Sequence, residues 1–220
     1  MAIKPILFNT EMVRAILDGQ KSCTRRIIKP QWEECPHCKY VHNEYIYDKL
    51  AENVYCARCG YPLMPERRSP YQQGDILYVR ETFIQIAAHT FWYKAGGKSW
   101  MLKDLRWKPS IHMPKEAARI WLKVTNVRVE RLQEITEDQT EEEGFLFTPP
   151  CLHMTGENYC DIDGPCTSEI KYCDMGAGEL FGKVLWNSTI KKSDIDRYGW
   201  DANPWVFVIE FERCEKPQEV

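Results

Sequence analysis

Apolar positions recur along the chain in two periods, and the switches between them mark out its elements. Ile6, Leu7 and Phe8 form a short apolar run that predicts a strand. Met12, Val13, Ile16 and Leu17 then fall on one face of a helix that Thr10 caps and Gly19 ends. Periodic pattern lapses from about residue 31 to 68 and resumes at Gly74-Asp75, a turn leading into a strand over Ile76–Phe83. Residues 84–117 predict a strand and a long loop. Ile120–Leu132 alternates as a strand, with Ile120, Leu122 and Val124 on one face and a register change near Asn126 that suits a bulge. Thr136 and Gln139 stand at capping-box spacing and open a short acidic helix that Gly144 closes. After a second irregular stretch, about 146–177, Leu180, Phe181, Val184 and Leu185 return at helical spacing. Trp205–Phe211 predicts a strong final strand, and no internal repeat is visible.

Long strands with few, short helices predict an α+β fold, a small mixed β-barrel carrying two embellishments. At 220 residues, the expectation is one domain over 1–220 with insertions at about 31–68 and about 146–177.

Composition narrows this picture in two places. No stretch reaches the run of about 18–20 apolar residues that a membrane helix needs. The opening Met-Ala-Ile-Lys-Pro lacks the basic start and apolar run of an export signal. A cytoplasmic protein without a membrane partner is therefore expected. The net charge of −3 announces no nucleic-acid partner, although a local basic face would still serve one.

Ten cysteines without an export signal point to metal before disulfides. Cys35-Pro-His-Cys38 and Cys56-Ala-Arg-Cys59 are two C-x-x-C knuckles, and Gly60 supplies the tight turn after the second. Two knuckles complete a tetrahedron of thiolates around one zinc ion and leave no position for water, so the expected role is structural. His37 either replaces a thiolate or is a solvent-facing spacer. Cys151, His153, Cys160, Cys166 and Cys173 form a second group of uneven spacing, either a second zinc site on Cys151, Cys160, Cys166 and Cys173 or unpaired loop cysteines. Cys23 and Cys214 are isolated and suit packing roles.

The turn Gly19–Arg26 carries Lys21, Thr24, Arg25 and Arg26. By itself it reads as a solvated basic run, or as two guanidinium groups set to pair with phosphate or carboxylate. Joined to other segments it becomes more specific. Ile16–Lys21 leading into Thr24-Arg25-Arg26, Gly74–Val79, the Val124–Leu132 strand running into Ile135-Thr136-Glu137, and the Val206–Phe211 strand together resemble the ASCH family, whose members have a PUA-like barrel. Arg80-Glu81-Thr82 and Tyr198–Trp205 are similar to the ASCH-type proteins of bacteriophages and prophages. The resemblance covers most of 3–30, 70–145 and 180–212, outside both cysteine-rich stretches.

Some small ASCH proteins are amidohydrolases of acetylated cytidine that use a Lys, Thr and Glu set. The resemblance implies Lys21 and Thr24 for the first two and Glu143 for the third, with Glu141 and Glu142 one or two places away. A threonine hydroxyl needs a base to become a nucleophile, and a nearby carboxylate can orient the lysine or protonate the leaving amine. Arg25 follows Thr24 directly, where the small hydrolases have one residue between. Arg80 and Glu81 fall at a strand end near the expected cleft, and Glu81 is either a second carboxylate reading a base or half of a structural salt bridge. Three functions follow as expectations. The first is a binder of nucleic acid or a modified nucleoside, RNA-related, using Arg25, Arg26, Arg80 and Glu81. The second is an amidohydrolase using Lys21, Thr24 and Glu143, and the third a phage-encoded interaction protein.

Overall fold

The computed structural model describes residues 1–29, 31, 34–40, 45–48, 53–63, 69–97, 105–145 and 176–218. The expected second cysteine group, 151–173, lies outside the described residues. In chain order the elements are β1 (Ile3–Leu7), α1 (Thr10–Leu17), β2 (Cys23–Ile27), β3 (Tyr45–Asp48) and β4 (Asn53–Cys56). Next come β5 (Ile76–Arg80), β6 (Phe83–Ala87), β7 (Thr90–Tyr93), β8 (Trp121–Arg131) and α2 (Glu137–Glu142). Then α3 (Ala177–Leu180) runs through a π-helical stretch, Phe181–Trp186, into α4 (Asn187–Thr189), followed by α5 (Ile195–Tyr198) and β9 (Trp205–Cys214).

Five strands form one mixed sheet in the order β1-β5-β8-β9-β2, with β1 parallel to β5 and every other pair antiparallel. β3–β4 and β6–β7 are separate hairpins. β9 lies inside the sheet, between β8 and β2, and its sequence explains why. Trp205, Phe207, Ile209 and Phe211 enter one buried cluster with Ile6, Phe8, Leu77, Leu122 and Val124. Val206 and Val208 enter another on the opposite face, with Leu132, Phe181, Trp186 and Trp200. A run apolar at every position from Trp205 to Ile209 can only be satisfied between two layers. The bulge expected near Asn126 is present, as the β8–β9 register shifts between Val124 and Asn126.

The closed barrel expected from the sequence is not what the described residues form; the sheet is open, with β1 and β2 as its edges. Pro5 lies in β1 and has no N–H to give to a further strand, which confines β1 to an edge. That edge is covered instead of paired. The Tyr71 hydroxyl donates to the Pro5 carbonyl at 2.8 Å and Lys4 Nζ donates to the Pro70 carbonyl at 2.9 Å. The free side of β2 meets the end of α2, where the Ser22 amide donates to the Glu142 carbonyl at 2.8 Å. A side chain spans the gap that a barrel would close by backbone, with Arg26 Nη2 donating to the Leu7 carbonyl at 2.8 Å.

Two local expectations also change. Asn9, not Thr10, caps α1, its side chain accepting from the Met12 amide at 2.8 Å. The strand expected over Ile76–Phe83 ends at Arg80, because Glu81 turns inward and β6 starts afresh in the hairpin. Among the described residues no helix is long and apolar enough to cross a membrane.

Candidate functional site

Two sites stand out, one of thiols and one of buried charges. In the insertion, the Sγ atoms of Cys35, Cys38, Cys56 and Cys59 all lie within 4.8 Å of one another. Cys35–Cys59 and Cys38–Cys56 are each 3.6 Å apart. A tetrahedral zinc with Zn–S bonds of about 2.3 Å needs sulfurs roughly 3.8 Å apart, so this donor set can hold a metal ion such as zinc.

The two knuckles share one backbone design. The amides of Cys38 and Cys59 each donate to the sulfur three residues before, Cys35 and Cys56, at 3.4 Å. Lys39 and Gly60 both take positive φ, 58° and 68°, and donate to the carbonyls of Cys35 and Cys56. The amides of Cys35 and Cys56 in turn donate to Tyr40 and Tyr61, both at 2.9 Å. The knuckles also brace each other: His37 stacks on Tyr61 at 5.4 Å, and the Arg58 guanidinium lies 5.3 Å over Tyr40. His37 is thus a spacer and not one of the grouped ligands. Val54 and Leu63 anchor this insertion in the main apolar cluster.

The second site lies where β2 meets the end of α2. Lys21 Nζ donates to Glu143 Oε2 at 2.6 Å and to the Glu143 carbonyl at 2.7 Å. Arg25 Nη1 reaches the other oxygen, Glu143 Oε1, at 3.2 Å. The remaining Arg25 donors go to Glu130 Oε1, at 2.9 and 2.6 Å, and to Gln139 Oε1 at 2.8 Å. Arg128 extends the network, donating to Glu130 Oε2 at 3.2 Å and to Glu210. The side chains of Lys21 and Arg25 are 0% exposed and that of Glu143 is 3%. Burial opposes the charge on Arg25, but Glu143 and Glu130 outweigh it and hold the guanidinium above its ordinary value. Cys23 beside them is pushed up to about 12 by burial and by Glu143, so it stays a thiol.

Local backbone explains how the acidic turn arrives there. Thr136 and Gln139 form the expected capping box, fixing the start of α2. Gly144 ends it at φ 78°, and a Cβ there would lie 2.6 Å from Ala15 Cβ and 3.2 Å from Lys21 Cβ. Only glycine lets the turn close against α1 so that Glu143 reaches Lys21.

Thr24 and Arg26 occupy the face of β2 opposite Cys23 and Arg25. That face holds Phe8, over whose ring Lys21 Nζ lies at 5.7 Å and the Arg26 guanidinium at 5.5 Å. Thr24 is buried. Arg26 is half-buried, and burial draws it below its ordinary value.

The other residues singled out from sequence go elsewhere. Glu81 is 1% exposed and takes a two-pronged contact from Arg119, at 2.8 and 3.0 Å. Arg80 donates to the Ile111 carbonyl. Trp200 is packed over Gly182, and Trp205 lies in the core. The Tyr198–Trp205 motif builds the turn into β9, where Asn203 adopts φ 44° and accepts from the Gln133 amide at 2.9 Å. Glu130 and Arg119 had no motif to reveal them, since Arg25 and Glu81, which they meet, lie far off in sequence, and the capping-box spacing that marks Gln139 says nothing of its bond to Arg25. The repeat C-x-x-C-x-Tyr, present in both knuckles, was a readable signal for Tyr40 and Tyr61. No family profile, no curated protein and no solved structure matches the chain significantly.

Proposed function

We propose that the chain is a PUA-like protein of the ASCH type that recognises a modified nucleoside, free or within nucleic acid, at a centre formed by Lys21, Thr24 and Glu143. The observation that carries this reading is the buried Lys21–Glu143 contact at 2.6 Å, at the edge of the strand that carries the buried Thr24. A base with an acylated exocyclic amine offers a carbonyl to donors such as Lys21 and Thr24, and an N–H to a carboxylate such as Glu143. Arg25, wholly buried, acts on this centre as a positioning residue that fixes Glu143 and does not itself meet the ligand. In the same reading Cys35, Cys38, Cys56 and Cys59 hold one zinc ion. Bound there, it would supply a structural staple with every coordination position filled by sulfur.

Calorimetric titration with acetylcytidine and cytidine tests the centre. The acetylated nucleoside is expected to bind, and Lys21→Ala or Thr24→Val to weaken it about tenfold or more, since a lost buried hydrogen bond costs about 1–3 kcal/mol. No binding, or unchanged binding in both variants, contradicts the proposal.

The buried lysine–carboxylate pair near a threonine favours a second reading, hydrolysis at the same centre. Lys21 passes a proton to Glu143 and takes the Thr24 proton as Oγ1 attacks the acyl carbon. The C–N bond breaks, the cytosine amine leaves with a proton from Glu143, and water hydrolyses the threonyl ester to acetate. Acetate released from acetylcytidine by the native chain and not by Lys21→Ala establishes turnover. Binding without acetate leaves recognition alone.

A further inference from the structure

We infer that the outer face of the paired knuckles binds single-stranded nucleic acid, stacking unpaired bases on Tyr40 and Tyr61 and meeting the phosphodiester backbone with His37, Lys39 and Arg58. The inference goes beyond the proposed nucleoside centre and does not depend on it. Tyr40 and Tyr61 hold equivalent places in the two knuckles, each bonded through its carbonyl to the first cysteine of its own knuckle. The ring positions are therefore set by the metal-ligand backbone and not by a mobile loop. Each ring carries a cationic or ionisable group from the opposite knuckle, Arg58 on Tyr40 and His37 on Tyr61. Pairs that served only as braces would bury their rings, yet Tyr40 is 42% exposed and Tyr61 39%.

Rigid, half-open aromatic faces layered with a guanidinium and an imidazole are what unpaired bases stack upon, and zinc knuckles are among the folds that use them. Three exposed basic side chains, His37, Lys39 and Arg58, surround the rings. Glu34 opposes them, and its contact with Lys39, 3.3 Å long between exposed groups, is weak enough for a phosphate to replace. A duplex keeps its bases stacked and would forfeit the contact to both rings, so single strands are the partner this face fits. Either sugar supplies the shared chemistry of base and phosphodiester.

The test is fluorescence anisotropy on the full chain, with zinc content measured in parallel, using labelled oligouridine, the matching oligodeoxythymidine and a duplex of equal length. The single strands are expected to bind at least tenfold tighter than the duplex. Tyr40→Ala with Tyr61→Ala weakens binding about tenfold or more at unchanged zinc content, whereas the Phe pair at the same positions retains it. Affinity falls with added salt, and Lys39→Ala with Arg58→Ala reduces the logarithmic slope by about 1.4, near 0.7 per lost phosphate contact. Lys123→Ala, at an exposed lysine of β8 outside both sites, leaves oligonucleotide binding as it was. The inference is overturned if neither single strand binds, if the duplex binds equally well, or if the alanine pair binds like the native chain. It is equally overturned if Lys123→Ala weakens binding as much as the Lys39→Ala and Arg58→Ala pair, which would mark attraction to any surface cation.

Discussion

Glu143 is shared between two buried cations, one on each carboxylate oxygen, and this makes it the most consequential single side chain in the charge network. Removing one partner of a buried ion pair leaves the other charged and unsolvated, at a cost of about 3–5 kcal/mol. Glu143→Ala strands Lys21 and Arg25 together, so urea unfolding should show a loss in that range, with Glu143→Gln intermediate because its amide oxygen still accepts from Lys21. A loss below about 1 kcal/mol would mean that solvent reaches the pair. At this scale sequence alone reveals residue types but not pairings. Lys21 and Glu143, picked out through the resemblance of their surroundings to a family, do meet, at 2.6 Å. Glu130 and Gln139 were not legible, because they meet Arg25 through strand order and helix placement, which no local spacing encodes. Glu81 shows the opposite case, a conspicuous carboxylate whose partner, Arg119, makes it structural.

Elements were legible where their signal is local. The capping box at Thr136, the positive-φ stop at Gly144, the bulge beside Asn126 and the doubly buried β9 all follow from short-range pattern. The break after Arg80 and the edge status of β1 depend on what lies alongside, and only Pro5 hinted at the second. β1 is held at its start by Asp75, which accepts from the Ala2 amide at 2.9 Å, the Gln72 amide at 3.0 Å and Lys4 Nζ at 2.7 Å. Burial alone would raise the Asp75 carboxyl, but these donors win and hold it below its ordinary value of 3.8. The folded value is thus depressed relative to the unfolded one, so its contribution is complete above about pH 4 and is lost as pH falls through the folded value. Asp75→Asn should therefore lower stability by about 1–3 kcal/mol at neutral pH and flatten the acid limb of the unfolding curve below pH 4. An acid limb identical to that of the native chain would show that Asp75 gains nothing on folding.

Across the whole molecule, the insertion is tied to the sheet by apolar contact as well as by chain. Val54, 0% exposed, and Leu63, 6%, belong to the same buried cluster as β9. Loss of the metal should accordingly be felt beyond the knuckles. Elemental analysis is expected to give one zinc per chain from Cys35, Cys38, Cys56 and Cys59; two would recruit the cysteines between 151 and 173. A strong chelator, or Cys56→Ser, should lower the melting temperature and raise binding of an apolar dye as Val54 and Leu63 come free. An unchanged melting temperature in the chelated protein would show that the hairpin holds without metal. The four-thiol group was legible from cysteine spacing because two C-x-x-C pairs can bring four sulfurs within reach of one ion. The open sheet was not, since barrel closure is decided by whether two edges distant in sequence meet.

The proposed centre asks Lys21, Thr24 and Glu143 to meet one ligand. A crystal structure of the full chain grown with acetylcytidine probes it most directly. The account predicts the base within hydrogen-bond reach of the Thr24 hydroxyl and of the Lys21–Glu143 pair. Density for the nucleoside against any other surface, with the three side chains still sealed from it, would contradict the account.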